Sequence, residues 1–146
     1  MEDHPKTTKI DYRFLKIAIS LGYRNLGSTW PNPSVGCVIV KNNHIIGVGN
    51  TAYQGRPHAE KIALDQAKSN AIDSTVYLTL EPCSHFGKTN PCTSELIKAK
   101  VKRDCLHSLN GSLQLRVQFH PYETNSHLRH HSPDHFRLQG GSTRTQ

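Results

Sequence analysis

The sequence predicts an α/β layered domain, and three observations predict it: a helix-spaced apolar stretch near the N-terminus, two apolar runs joined by turn residues, and a helix–strand–helix series after them. At 146 residues the chain has room for one domain with its own core. From Ile10 to Arg24 the residues Phe14, Leu15, Ala18 and Leu21 recur at helical spacing, and Gly22 and Gly27 mark the exit. Val35–Val40 is a continuous apolar run, Lys41-Asn42-Asn43 is turn chemistry, and Ile45-Ile46-Gly47-Val48 follows, which reads as two antiparallel strands. His58–Ala67 places Ile62, Ala63 and Ala67 on one helical face, and Thr75–Leu80 reads as a buried strand. A third helix fits Thr93–Lys100, with Pro91 and Cys92 at its entrance.

Composition narrows the function classes. No run of 18 or more apolar residues exists and Met1–Lys9 is polar, so the expectation is a soluble, cytoplasmic protein without a membrane partner. Four cysteines, Cys37, Cys83, Cys92 and Cys105, are too few for a disulfide scaffold, which leaves metal binding or burial. The net charge of +7 is spread over both halves of the chain with no basic stripe interleaved with aromatics, so no nucleic-acid partner is expected.

One cluster carries chemistry. His58-Ala59-Glu60 lies at a helix start, Glu81-Pro82-Cys83 ends a strand, and Cys92 follows nine residues after Cys83. A single histidine or buried cysteine is ordinarily packing; one histidine and two cysteines at element ends together form a ligand set for Zn²⁺. Three protein ligands leave the fourth tetrahedral position for water, as a catalytic site requires. The helix N-termini are expected to favour thiolate at both cysteines. Zinc lowers the pKa of its water toward ~7, and Glu60 is placed to carry protons between that water, a ring nitrogen and departing ammonia. His-x-Glu with a later Pro-Cys is the zinc-deaminase signature, in which the glutamate is catalytic and not a ligand. Cys37, inside an apolar strand, reads as a small core residue, and Cys105 has no partner motif.

Four segments carry a resemblance to one family. These are Pro31-Asn32-Pro33 before Val35-Gly36-Cys37-Val38, His58-Ala59-Glu60, Thr79-Leu80-Glu81-Pro82-Cys83-Ser84-His85, and Gly87-Lys88-Thr89-Asn90-Pro91-Cys92-Thr93. Together they resemble the deaminase domain of the bacterial riboflavin-biosynthesis deaminase/reductase, within the cytidine deaminase-like superfamily. The long insertion between the cysteines is the diagnostic part. The resemblance implies a three-layer fold with a mixed five-stranded sheet, order 2-1-3-4-5, between helices. It implies hydrolytic, zinc-dependent deamination of 2,5-diamino-6-(5-phosphoribosylamino)pyrimidin-4-one to the 5-aminouracil derivative. By the same resemblance Asn32 and His85 contact the pyrimidine end, while Lys88 and Thr89 hold the ribose phosphate. Thr51 stands where the family usually has a histidine.

The likeness spans residues 10–103 and then stops, so the expectation is a deaminase domain over 1–103 whose C-terminal strands are missing, followed by a disordered tail over 104–146. One extra base after the Arg103 codon would account for the break, since the next frame can encode an apolar strand and an Asp-Pro turn; the gene's nucleotide sequence decides this. His107, His120, His127, His130, His131 and His135 lack regular ligand spacing and are assigned no role. Two other readings stay open: an inactive zinc-binding remnant, and a deaminase of a nucleic-acid base. The sequence leaves the oligomeric state open, a homo-oligomer included.

Overall fold

Helix α1 (Lys9–Tyr23) starts at a reciprocal cap: the Thr8 hydroxyl accepts from the Asp11 amide at 3.2 Å, and the Asp11 carboxylate accepts from the Thr8 amide at 2.8 Å. A computed structural model describes residues 8–85, 87, 89–107 and 115–119 of the chain. After α1 come strands β1 (Gly36–Lys41) and β2 (His44–Asn50), helix α2 (Ala59–Ala67), strand β3 (Thr75–Leu78), helix α3 (Cys92–Lys98), and strands β4 (Arg103–His107) and β5 (Leu115–Phe119). The β1–β2 turn places Asn42 and Asn43 at positive φ, which asparagine tolerates better than most residues. Gly22 lies inside the last turn of α1 rather than beyond it.

The sheet order is β2-β1-β3-β4-β5. Strand β1 pairs antiparallel with β2 and β3, β3 pairs parallel with β4, and β4 pairs antiparallel with β5. The side-chain period of two then divides the core. Cys37 and Ile39 of β1, with Val76 and Leu78 of β3, face Ala59, Ala63 and Ala67 of α2 and Leu96 of α3. Val38, Val40 and Tyr77 point the other way, into a cluster with Phe14, Leu15, Ala18 and Leu21 of α1. The mixed sheet therefore lies between helical layers, as expected. Cys37 is fully buried in this core.

One expectation needs correction, because the C-terminal strands are not missing over the described residues. Strand β4 begins at Arg103 itself, pairing Val76 with Asp104 and Leu78 with Leu106. Asp104-Cys105-Leu106 lacks a long apolar pattern, but β3 offers a free edge, and one apolar residue per face is enough here. Leu106 joins the α2 side of the core and Cys105 the α1 side. Residues 108–114 and 120–146 lie outside the described residues, and with them the expectation of a disordered tail and five of its six histidines.

Two glycines set how closely α2 lies on the sheet. A Cβ at Gly47 or Gly49 of β2 would collide with the Ala63 or the Ala59 carbonyl oxygen of α2. Only backbone fits there. On the opposite face Asp11 is almost fully buried and gathers three elements, accepting from Tyr77 Oη at 2.7 Å and from Arg103 Nη2 at 2.9 Å, besides the two donors of Thr8.

Burial pushes the Asp11 pKa up, but the Arg103, Thr8 and Tyr77 donors outweigh it and hold the carboxyl at about 2. The folded value lies below the unfolded one, so the stabilisation is complete above about pH 4 and is lost as pH falls toward about 2. Urea unfolding of Asp11→Ala at pH 7 should show a loss of about 3 kcal/mol, because Arg103 keeps a partly buried charge without its partner. The difference between wild type and variant should shrink as the pH is lowered through that window.

Candidate metal centre

The site forms where two helices start above the carboxyl end of β3. His58 directly precedes α2 as its N-cap residue, in extended conformation, so its ring leaves the helix axis. Past β3, the Thr79 amide donates to the Gly36 carbonyl at 3.2 Å and the Thr79 hydroxyl accepts from the Gly36 amide at 3.0 Å, which carries the chain in register toward Cys83. The Cys83 carbonyl then accepts from both the amide and the hydroxyl of Thr93, each at 3.2 Å. That double tether fixes Cys83 to the first turn of α3, whose first residue is Cys92.

These constraints bring the ligand atoms of His58, Cys83 and Cys92 within 4.8 Å of one another. His58 Nδ1 lies 3.2 Å from Cys92 Sγ and 3.8 Å from Cys83 Sγ, and the Cys92 amide donates to Cys83 Sγ at 3.3 Å. Tetrahedral zinc with imidazole and thiolate ligands sets its donor atoms roughly 3.5–3.8 Å apart. The donor set and its spacing therefore fit Zn²⁺. His58 titrates below the ordinary imidazole value, first through burial and then through the nearby Arg56 and His85, so it is the neutral ligand a metal needs.

Cys92 differs from expectation. Rather than favouring thiolate, the surroundings of Cys92 push its thiol well up: burial comes first, then the Glu60 carboxyl and Cys83. The helix-terminus effect is visible instead as the Cys92 amide aimed at Cys83 Sγ. Glu60, in the first turn of α2, is 4% exposed and interacts with the neighbouring Cys92 thiol. Burial raises its pKa, against its own backbone amide and that thiol, so it holds a proton more readily than a surface glutamate does.

A cavity of about 260 Å³ opens on this group, lined by Asn32, Thr51, Glu60, Cys83, His85 and Thr89 among others. Asn32 Nδ2 donates to the Gly55 carbonyl at 2.8 Å and lies 3.4 Å from His58 Nε2, so its amide is held against the ring. His85 and Thr89 are exposed at the cavity wall. Lys88 lies outside the described residues. Thr51 is buried, and its hydroxyl accepts from the Val35 amide at 2.9 Å, so here this position ties the hairpin to the strand entrance. Sequence reasoning missed Arg56, which lines the cavity and whose Nη1 donates to Thr89 Oγ1 at 2.6 Å. Its place two residues before His58 was the available signal.

Residues 8–107 match the cytidine and deoxycytidylate deaminase zinc-binding region. The chain belongs to this deaminase family. Among curated relatives it is 46% identical over 102 residues to riboflavin biosynthesis protein RibD of Aquifex aeolicus, a match covering 70% of this chain and 29% of that protein. It is 47% identical over 100 residues to the diaminohydroxyphosphoribosylamino-pyrimidine deaminase of Buchnera aphidicola, covering 68% of each. Among solved structures, Acinetobacter baumannii RibD aligns with a TM-score of 0.66 and 49% identity over 68% of this chain and 28% of that one. The chain thus spans under a third of the length of the RibD proteins it matches. Within this deaminase family the described residues include no helix long and apolar enough to cross a membrane.

Zinc uptake by metal-free protein near pH 7 should release a proton from Cys92, and affinity should fall as the pH is lowered. Proton release in weakly buffered solution and zinc titration read both. Cys83→Ser and Cys92→Ser should each reduce bound zinc from one per chain to near zero in metal analysis.

Proposed function

We propose that the chain catalyses hydrolytic deamination of an aminopyrimidine bearing a ribose phosphate, of the kind named for the Buchnera relative, 2,5-diamino-6-(5-phosphoribosylamino)pyrimidin-4-one. The observation that carries this reading is a buried Glu60 carboxyl beside a three-ligand His/Cys/Cys group that faces an open cavity. His58, Cys83 and Cys92 hold the metal, which supplies Lewis acidity and lowers the pKa of water.

The chain's own residues do the rest. Glu60 takes one proton of the attacking water and gives it to the ring nitrogen next to the amino-bearing carbon. It then takes the second proton from the newly attached hydroxyl and delivers it to the amino group, so that the C–N bond breaks, a carbonyl oxygen stands in place of the amino group and ammonia leaves. Its raised pKa suits it to both halves of that transfer. Asn32, held by Gly55 against the His58 ring, presents its amide oxygen as an acceptor for an amino group of the pyrimidine. His85 faces the same space, and Thr89 stands where the ribose phosphate extends.

Ammonia release from the phosphoribosylated pyrimidine by zinc-loaded wild type and Glu60→Ala tests the reading. The variant should keep one zinc per chain and lose about two to four orders of magnitude in kcat. Zinc retained in both proteins with no turnover in either would overturn the deaminase reading in favour of an inactive zinc-binding remnant.

A further inference from the structure

The cavity above Glu60 has a neighbour. A second cavity, of about 450 Å³, is lined by Arg56, Pro57, His58, Lys61, Thr89, Asn90, Cys92 and Glu95. His58, Arg56 and Thr89 line both, so the Arg56–Thr89 hydrogen bond stands at the boundary between the two spaces. Among the described residues lining the first cavity, Arg56 is the only arginine or lysine, while Glu60 and Glu81 supply two carboxyl groups. Lys61 of the second cavity is already paired with Asp65 at 2.5 Å, and both are exposed.

Arg56 is half-buried, and its one hydrogen bond among the described residues is that from Nη1 to Thr89. A Cβ on Gly87 would lie 3.7 Å from Arg56 Nη2, so the guanidinium lies close to Gly87 as well as to Thr89. Nε and Nη2 keep their donors for something else. A planar fork of donors beside a threonine hydroxyl is the arrangement that takes a phosphate monoester bidentately.

Resting on the deaminase reading above, we propose that Arg56 binds the substrate's phosphate: the guanidinium takes two phosphate oxygens, held in orientation by its bond to Thr89, and so selects phosphorylated over dephosphorylated pyrimidine nucleosides. Its place on the polypeptide gives the selection leverage over the chemistry, because Arg56 and the metal ligand His58 are separated by Pro57 alone. A phosphate anchored on Arg56 positions the base directly against His58 and Glu60.

The test titrates ribose 5-phosphate onto the zinc-loaded full chain, with ribose as the control, in wild type, Arg56→Gln and Arg56→Lys. Loss of charge-assisted hydrogen bonds predicts affinity for ribose 5-phosphate lower by roughly tenfold to a hundredfold in Arg56→Gln. Arg56→Lys, which keeps the charge without the fork, should recover part of the loss, and ribose should bind all three alike. Equal affinity of wild type and Arg56→Gln for ribose 5-phosphate, or no binding to wild type, would overturn the proposal.

Turnover separates this proposal from the reading it rests on. In Arg56→Gln, KM for the phosphoribosylated pyrimidine should rise by a similar factor with a smaller change in kcat, and the dephosphorylated substrate should be handled as by wild type. An unchanged kcat/KM would sink the role of Arg56 and leave the deaminase standing. Binding of ribose 5-phosphate through Arg56 without ammonia release by wild type would sink the deaminase and leave the anion site. Should Arg56→Gln unfold, Arg56→Lys carries the same comparison.

Discussion

The placing of the histidine ligand and the proton carrier at the metal centre depends on how closely α2 lies against β2. The contact is made backbone to backbone, because Gly47 and Gly49 present no side chain to the Ala63 and Ala59 carbonyls. His58 and Glu60 flank Ala59, so the strand that receives Ala59 also sets the height of the ligand and of the proton carrier above the sheet. A methyl group on either glycine would lift the helix start, and a ligand atom moved by even half an ångström leaves the tolerance of a zinc site. The small residues of α2, Ala59, Ala63 and Ala67, complete the same arrangement, since a large side chain on that face would oppose the approach.

The second half of the centre is held differently. Cys83 and Cys92 belong to one connection, folded back on itself by the paired hydrogen bonds of Thr93 to the Cys83 carbonyl. Strand β3 delivers this connection to the site through its pairing with β1, and β1 carries Cys37 and Ile39 beneath α2. An imidazole from the start of α2 and two sulfur ligands from this separately anchored connection thus meet over the sheet. Burial and the Glu60 carboxyl favour the protonated Cys92 thiol in the metal-free protein, so binding a cation there displaces a proton.

Much of this was legible in the sequence. His58, Glu60, Cys83 and Cys92 were readable because each sits at an element boundary within a short motif, and the continuous burial of β1 follows from its apolar run. Arg56 offered only its place two residues before His58 as a signal: its contact with Thr89 spans 33 residues and depends on how two loops approach each other, which no periodicity encodes. Strand β4 was missed because Asp104-Cys105-Leu106 has almost no apolar pattern, and what recruits it is the open edge of β3. Thr51 was read as a missing histidine, whereas its hydroxyl on the Val35 amide is a contact seen only once the strand entrance is folded.

The node at Asp11 joins residues 92 positions apart, so the start of α1 and the start of β4 meet across one carboxylate. In topological terms the stretch from Thr8 to Arg103 is almost a closed ring. Chain order within such a ring is a matter of where it is cut rather than of how it packs. The Lys41–Asn43 turn borders the same pocket as Thr8, Asp11 and Arg103, none of which lines either cavity at the metal centre. A break in the backbone at that turn would fall outside both cavities, on the part of the ring that takes no part in the chemistry.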